Sequence, residues 1–350
     1  MLRSLQIITA ILAFITIYSC SSKNLLTMGV TEPAPVYVPQ DIKTVGIINR
    51  SLPSEQNKIL DKLEKILSAE GKNLDKDGAQ RSVQGLKDEL EKNSRFSKIT
   101  IINNPGVENP GLGVFPAALS WKEIEKICSE NKVDALFALS FYDTDAKIDY
   151  ETVPVKLENP LGANIPALKH KATISTEIKT GWRIYDPSGK MILDEFFANE
   201  RVVSSGTGIN PMKAAQAIID RKESVLQVSN IIGQNYALRI LPYKIRVSRY
   251  YYVRGTNNFK IAKRRAQTGD WNGAAELWEK EISHPKRKVA GRACYNMAII
   301  NEINGDLNAA LEWGSKAYTD YRIKMALQYT NILKNRIARN EELQRQTGGR

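Results

Sequence analysis

This chain of 350 residues has few of the side chains that build metal centres and nucleophilic sites, with two histidines and three cysteines. A two-histidine metal site would need both His170 and His284, and neither lies in a zinc-binding helix motif. No nucleophile elbow and no complete phosphate-binding loop occurs along the chain. The sequence therefore predicts no catalytic residues, no metal, no cofactor and a protein that is not an enzyme.

The three cysteines fall into two groups. Cys128 and Cys294 lie among apolar residues in helix-like stretches, which predicts buried free thiols. A Cys128–Cys294 disulfide is the alternative, because an exported location would permit it. Cys20 differs from both, because it directly follows a short apolar run at the N-terminus.

That apolar run extends from Leu5 to Tyr18, and at about 14 residues it is too short to cross a bilayer. Preceded by Arg3, it is typical of a secretory signal. The residues Ile17-Tyr18-Ser19-Cys20 resemble the bacterial lipobox, which implies cleavage before the cysteine and acylation of its thiol and new amino group. We therefore expect residues 1–19 to be a signal peptide and Cys20 to be lipidated. An ordinary signal with Cys20 as a bystander is the alternative.

Residues 20–41 combine small polar residues with three prolines, a composition that predicts an extended tether. No acidic residue stands between Cys20 and Glu32, whereas some Bacteroidota-type lipoproteins carry an acidic surface-export signal after the cysteine. We therefore expect an exported bacterial lipoprotein of the outer membrane that faces the periplasm.

The net charge of +12 is concentrated in the C-terminal third. Residues 239–350 hold 22 Lys and Arg against 10 Asp and Glu, while residues 20–238 hold 27 against 28. Export argues against a nucleic-acid partner, which leaves acidic protein, anionic lipid headgroups or acidic glycan. A basic face that is merely solvated is the alternative.

Residues 42–254 predict an α/β (or α+β) domain with a mixed sheet covered by helices. Ser120 and Glu123 form a capping box, Asp186-Pro187-Ser188-Gly189 a hairpin turn, and residues 153–168 a proline-containing excursion. This order, with the segment Leu119–Asp143, resembles the α/β domains of curli-secretion and penicillin-binding-protein-activator lipoproteins. The predicted strands are 44–49, 99–102, 133–142, 172–185, 190–203 and 243–253, and the predicted helices are 54–69, 77–93, 120–132 and 210–232.

Three aspartates, Asp143, Asp145 and Asp149, follow the third predicted strand. Carboxylates two residues apart on a strand project from one face, which would suit a cation, but no third ligand at a known spacing supports such a site. An acidic strand end that protects a sheet edge is the preferred interpretation.

The C-terminal third contains an internal repeat. Ala262, Gly269-Asp270 and Ala274 recur with an offset of 36 as Ala298, Gly305-Asp306 and Ala310. The small residues and the Gly-Asp turn resemble tetratricopeptide repeats, whose period is about 34. Two repeats are fewer than an independent array needs, so we expect docking on the α/β domain or on a partner. The predicted helices are 257–268, 271–283, 289–303, 307–318 and 323–342, followed by a disordered tail at 343–350.

In tetratricopeptide arrays the first helix of each pair lines a concave surface. This resemblance makes five residues candidates for binding a partner's acidic or extended segment: Phe259, Lys263, Arg292, Tyr295 and Ile299. The chaperone-type carboxylate clamp is not reproduced at its spacing, so the resemblance implies no particular specificity.

Taken whole, the chain resembles a Bacteroidota lipoprotein family with an N-terminal α/β domain and C-terminal tetratricopeptide-like repeats. That resemblance implies no activity. The sequence predicts a non-catalytic binding or scaffold protein of the cell envelope that acts through its helical repeats. A self-associating envelope assembly or secretion-accessory subunit is the alternative, and a glycan-active enzyme would require a deep acidic pocket.

Overall fold

A computed structural model describes residues 22–51, 62–103, 106–107, 114–158 and 164–348. The predicted signal peptide and the lipidated Cys20 lie outside these residues. In chain order the elements are β1 (Lys23–Glu32), β2 (Thr44–Asn49), α1 (Lys62–Glu91), β3 (Lys98–Ile102), α2 (Trp121–Asn131), β4 (Ala135–Glu158), β5 (Asn164–Asp186), β6 (Met191–Gly208), α3 (Pro211–Gln216), α4 (Arg221–Leu238), β7 (Tyr243–Tyr252), α5 (Asn257–Gln267), α6 (Trp271–Glu279), α7 (Arg287–Ile303), α8 (Leu307–Thr319) and α9 (Lys324–Thr347).

The elements form two compact units. The α/β unit comprises residues 34–241, and the helical unit comprises residues 22–33 and 242–348. The sheet-rich region and the helical C-terminal region predicted from the sequence are thus both present. No helix in the described ranges is long and apolar enough to cross a membrane.

The α/β unit contains one five-stranded sheet in the order β3-β2-β4-β5-β6. β2 runs parallel to β3 and β4, while β4, β5 and β6 are antiparallel neighbours. Parallel neighbours need a crossover, and α1 and α2 provide the two crossovers from β2 through β3 to β4. The capping box of α2 is confirmed, because the Ser120 hydroxyl accepts from Glu123 N–H and the Glu123 carboxylate accepts from Ser120 N–H.

Both faces of this sheet are buried by helices. Helices α1 and α4 cover one face with a core that includes Leu86, Val225 and the stacked rings of Trp182 and Tyr236, whose centroids are 4.8 Å apart. A Cβ at Gly233 would lie 1.9 Å from the Ser82 carbonyl oxygen, so the glycine is what allows α4 to approach α1 this closely. On the other face α2 buries a smaller core around Ile124 and Leu136.

The proline-containing excursion predicted for residues 153–168 is wrong for residues 153–158 and 164–168, and residues 159–163 lie outside the described residues. β4 continues to Glu158 and β5 begins at Asn164, with Pro154 opposite Leu168 and Pro166 opposite Lys156. Each proline lies where its strand pairs with a neighbour on one side only. The pairing of β4 with β2 ends at Leu139, opposite Asn49, and the pairing of β5 with β6 begins at His170. Proline lacks an N–H, so a strand tolerates it only where that group would not pair.

Two helix boundaries also differ from the prediction. The helices predicted at 54–69 and 77–93 are a single helix, α1, over the described residues, because the linking segment includes Leu74, which is buried in the core. The helix predicted at 210–232 is two helices, α3 and α4.

The tether predicted for residues 20–41 is wrong for residues 23–32. They form β1, which pairs antiparallel with β7 and buries Leu26 and Val30. The prediction gave weight to the flanking serines and prolines and too little to the apolar residues between them. β7 was likewise placed in the α/β sheet by the sequence, but it belongs to the helical unit.

Helices α5 to α9 follow β7, and sequential helices pack against one another. The two repeat turns have the same geometry: Gly269 and Gly305 both have φ of +85°, and Asp270 and Asp306 cap α6 and α8 through side-chain hydrogen bonds. The array packs on β7, the strand that the sequence had assigned to the α/β sheet. The tail predicted to be disordered from residue 343 is helical to Thr347.

Cys128 and Cys294 are both free and buried, which confirms the prediction of free thiols. Burial raises the pKa of each thiol to about 11. At neutral pH these cysteines are therefore protonated and poorly nucleophilic.

Candidate functional site

The partner-binding face predicted on the helical array is covered by the chain itself. Phe259, Tyr295 and Ile299 are 0%, 3% and 0% exposed and lie in the core of the helical unit. The prediction that these three residues bind a partner is wrong. Apolar positions on a helix face show the same pattern whether a partner or the chain's own strand covers them.

The covering element is β7, which the array holds as it would hold an extended peptide. The side-chain amide of Asn296 accepts from Tyr252 N–H and donates to the Tyr252 carbonyl, each at 2.7 Å. The rings of Tyr252 and Tyr295 meet edge to face at 5.3 Å. Tyr251 packs edge to face on Trp271 at 5.4 Å. The array therefore binds an extended segment in cis.

A buried ion network adds a second attachment of β7. Arg249 donates to both carboxylate oxygens of Glu302, from Nε at 2.9 Å and from Nη2 at 2.8 Å. Tyr329 and Arg336 of α9 donate to the same carboxylate at 2.6 Å and 2.5 Å. The Glu302 side chain is fully buried, so one carboxylate links β7, α7 and α9.

Burial by itself would raise the pKa of Glu302. The hydrogen bonds from Arg249, Tyr329 and Arg336 outweigh burial and hold the pKa below its usual value of 4.5. The carboxylate is therefore ionised at neutral pH, and its charge is matched by two arginines.

Beside the end of β7 lies an open cleft of about 760 Å³ that we call the basic cleft. Four of its residues are cationic and none is acidic. In the described part of the chain none of the four cationic side chains forms an ion pair, whereas the neighbouring Arg265 lies 3.8 Å from Asp270 and 3.4 Å from Glu276. The lining residues are Val253, Arg254, Gly255, Thr256, Asn257, Lys260, Lys263, Arg264 and Gln267.

The sequence places these cations together through one helix. Lys260, Lys263 and Arg264 have the i, i+3, i+4 spacing that puts side chains on one face of α5. The start of α5 is fixed by Glu281, which accepts from Thr256 Oγ1 and Asn258 Nδ2 at 2.7 Å each. Because the Thr256 hydroxyl is bonded to Glu281, no side chain caps the first turn of α5. The backbone N–H groups of that turn add to the positive potential of the cleft.

Two of the five predicted residues are connected with the basic cleft. Lys263 lines it, half-buried. Arg292 supports it from behind, because its Nη1 donates to the Arg254 carbonyl at 2.7 Å and its guanidinium lies 5.0 Å from the centre of the Tyr252 ring. The prediction missed Arg254, Lys260 and Arg264, although the basic spacing along α5 would have indicated them.

The first described residue of the chain also meets the basic cleft. Val253, which lines it, donates its N–H to the carbonyl of Ser22 at 3.0 Å. The next residue, Lys23, is opposite Tyr252 in the strand register. The chain thus enters the helical unit at this cleft.

The aspartates after the third predicted strand are engaged in other ways. Asp145 pairs with Lys179, and Asp149 lies 3.2 Å from Lys147. Asp143 is buried near Asp75. Burial raises the pKa of Asp75 to about 7, although the Thr144 hydroxyl donates a hydrogen bond to its carboxylate at 2.5 Å. No group of three metal-binding side chains suited to a metal ion occurs among the residues that the structure describes.

A shallow depression of about 380 Å³ in the α/β unit is lined by three carboxylates, Asp41, Glu125 and Asp134. Its Asp134 carboxylate accepts the backbone N–H groups of Lys43 and Thr44 at 2.8 Å and 2.7 Å, and these bonds keep its pKa low against the effect of burial. Glu125 lies 3.2 Å from Lys190. The Asp134 hydrogen bonds thus tie the residue before β4 to the start of β2.

Solved structures of two bacterial proteins are among those similar to part of the chain. One is a homolog of the neuraminyllactose-binding hemagglutinin from Helicobacter pylori, 9% identical, covering 59% of this chain and 84% of that one with a TM-score of 0.26. The other is a PelC dodecamer from Paraburkholderia phytofirmans, 9% identical, covering 62% of this chain and 98% of that one with a TM-score of 0.23. Neither likeness supports an inference about function at such scores.

No curated protein matches the chain. Two family models do match, each of a domain of unknown function. DUF6340 matches residues 260–335, which include most of the helical array. DUF8603 matches residues 42–252, more than half of the chain. The chain therefore belongs to the DUF8603 family.

Proposed function

We propose that this protein is a non-catalytic binding and scaffold lipoprotein of the bacterial cell envelope, held to the outer membrane by lipid on Cys20 and facing the periplasm. Its helical unit binds an anionic partner group in the basic cleft. The observation that carries the proposal is a set of four cations in one cleft whose lining holds no carboxylate and which form no ion pair with any described residue. Cations held together without counter-ions attract an anionic ligand.

The helical array is, on this proposal, a tetratricopeptide-like array. The equal turns at Gly269 and Gly305 support that assignment. β7 already covers the face on which a partner's extended segment would lie. Of the two partner features predicted from the sequence, an extended segment and an acidic group, the cleft supports the acidic group.

Photo-crosslinking in intact cells tests this function. A crosslinking residue at Lys260 is expected to give a specific adduct that is lost when Lys263→Glu and Arg264→Glu are added, because those changes remove the positive potential. The matched control position is Lys244, exposed on β7 and opposite Thr31, at the other end of the strand pair. Equal adducts at positions 260 and 244, or adducts indifferent to the charge reversals, would contradict the proposal.

Self-association is the second candidate function, and one observation favours it. β6 has a strand neighbour on one side only among the described strands, and it exposes Phe197 and Val203. Such an edge could pair with the same edge of a second copy. A native mass measurement separates the two candidates: a monomer favours the first, and a dimer, which pairing of two like edges produces, favours the second.

A further inference from the structure

The place where the chain enters the helical unit bears on what the basic cleft binds. Ser22 is hydrogen-bonded to Val253 in the cleft wall. Only Ser21 separates Ser22 from Cys20 in the sequence. Two residue steps reach about 7 Å at most. On the proposed function, the lipid anchor on Cys20 therefore lies within about 7 Å of Ser22, which is bonded to the cleft wall.

We propose that the basic cleft binds the headgroup phosphates of anionic lipids in the membrane that carries the lipid on Cys20. This inference rests on the proposed function and names the ligand of the same site. Lysine ammonium and arginine guanidinium groups are the usual partners of phosphate oxygens. Arg254, Lys260 and Arg264 are exposed, and Lys263 is half-buried at the cleft wall, so all four can reach a surface that the cleft faces.

An acidic protein segment has the same sign of charge, but two observations favour the membrane. The cleft lies at the anchor, where the local concentration of headgroups is highest. The neighbouring groove, which would hold the extended backbone of a peptide, is filled by β7. A soluble acidic peptide is therefore the competing occupant in the test.

The test uses the mature chain from residue 20 with Cys20→Ala, so that a lipid on Cys20 does not contribute to binding. Co-sedimentation is measured with vesicles of pure phosphatidylcholine and with vesicles containing phosphatidylglycerol, at low and high salt. A Lys260→Glu/Arg264→Glu variant reverses two cleft charges. Its control, Lys244→Glu/Arg246→Glu, makes the same charge change on β7, where Lys244 is about 27 Å from Tyr252 along the strand. Circular dichroism checks that each variant is folded.

We expect wild-type and control proteins to prefer the phosphatidylglycerol vesicles and to be released by high salt. The cleft variant should bind these vesicles at least about tenfold more weakly. Equal binding to both vesicle types, or equal loss in both variants, would overturn the inference. A fluorescent hexaglutamate peptide supplies the second arm. If peptide binding depends on Lys260 and Arg264 while vesicle binding does not, the proposed function stands and the lipid inference falls. If neither probe depends on the cleft residues, both fall.

Discussion

Replacing Cys20 with alanine is expected to move the protein from the membrane fraction to the soluble fraction when cells are fractionated in high salt. Two or more acyl chains hold a protein firmly, at about 0.8 kcal/mol per buried methylene, and the variant has none. Without them only the charges of the basic cleft would hold the protein to a bilayer, and salt screens those. A minor fraction should therefore stay on membranes at low ionic strength and leave in high salt.

The matched control for this change is Ser21→Ala, which alters the neighbouring residue and keeps the cysteine. Immunoblots of the two fractions should show the control on the membrane in both salt conditions. If Cys20→Ala stays on the membrane to the same extent as the control in high salt, then lipid on Cys20 is not the anchor and the proposal fails with it.

Replacing Glu302 with alanine is expected to lower the free energy of unfolding of the helical unit by about 3–5 kcal/mol. The change leaves Arg249, which is 9% exposed, without its counter-charge between β7 and the helices. Urea unfolding gives the size of the loss. Hydrogen exchange over residues 243–253 should rise at the same time, because the carboxylate is one of the two attachments that hold β7 on the array.

Glu312→Ala is the control for this substitution, since Glu312 is an exposed glutamate of α8. Its expected effect is within about 0.5 kcal/mol. An equal loss of stability in the two variants would show that the Glu302 network does not hold β7.

The same network predicts a dependence on pH. Because the folded-state pKa of Glu302 lies below 4.5, the network stabilises the fold at neutral pH and loses this effect as the pH falls through the folded-state pKa. Glu302→Gln cannot titrate. The stability difference between wild type and Glu302→Gln should therefore shrink below about pH 4.5, when unfolding is measured in buffers of decreasing pH.

The features that the sequence predicted well have local causes. The capping box of Ser120 needs only a residue three positions on, and the paired turns at Gly269 and Gly305 need one glycine with positive φ followed by an aspartate cap. The hairpin between β5 and β6 likewise turns where Asp186 accepts from Ser188 and Gly189 N–H. Each signal is complete within a few residues, so it can be recognised without the rest of the fold.

The features that it missed depend on contacts distant in the chain. Nothing near Lys23 indicates that it will be opposite Tyr252, so β1 was predicted to be a tether and β7 a strand of the α/β sheet. The same missing contact explains the error at the site, because Tyr295 and Ile299 would be available to a partner without β7 in place. The basic residues of α5 were within reach of sequence analysis, but Arg254 joins them only through the turn that Arg292 fixes.

The position of β1 changes what the anchor holds. The sequence predicted an extended tether at residues 20–41 between Cys20 and the α/β domain. In the structure residues 22–33 belong to the helical unit, and Ser22 lies beside the cations that form no ion pair among the described residues. We therefore propose that the helical unit is the part of the protein that meets the bilayer.

Fluorescence quenching on the lipidated, membrane-bound protein tests this claim most directly. A fluorophore is attached at Lys260→Cys or, as control, at Lys244→Cys; acylation blocks Cys20, and Cys128 and Cys294 are buried with raised pKa values. Lipids with a quencher in the headgroup should quench position 260 strongly and position 244 weakly. Quenching at position 260 that does not exceed quenching at position 244 would contradict the account.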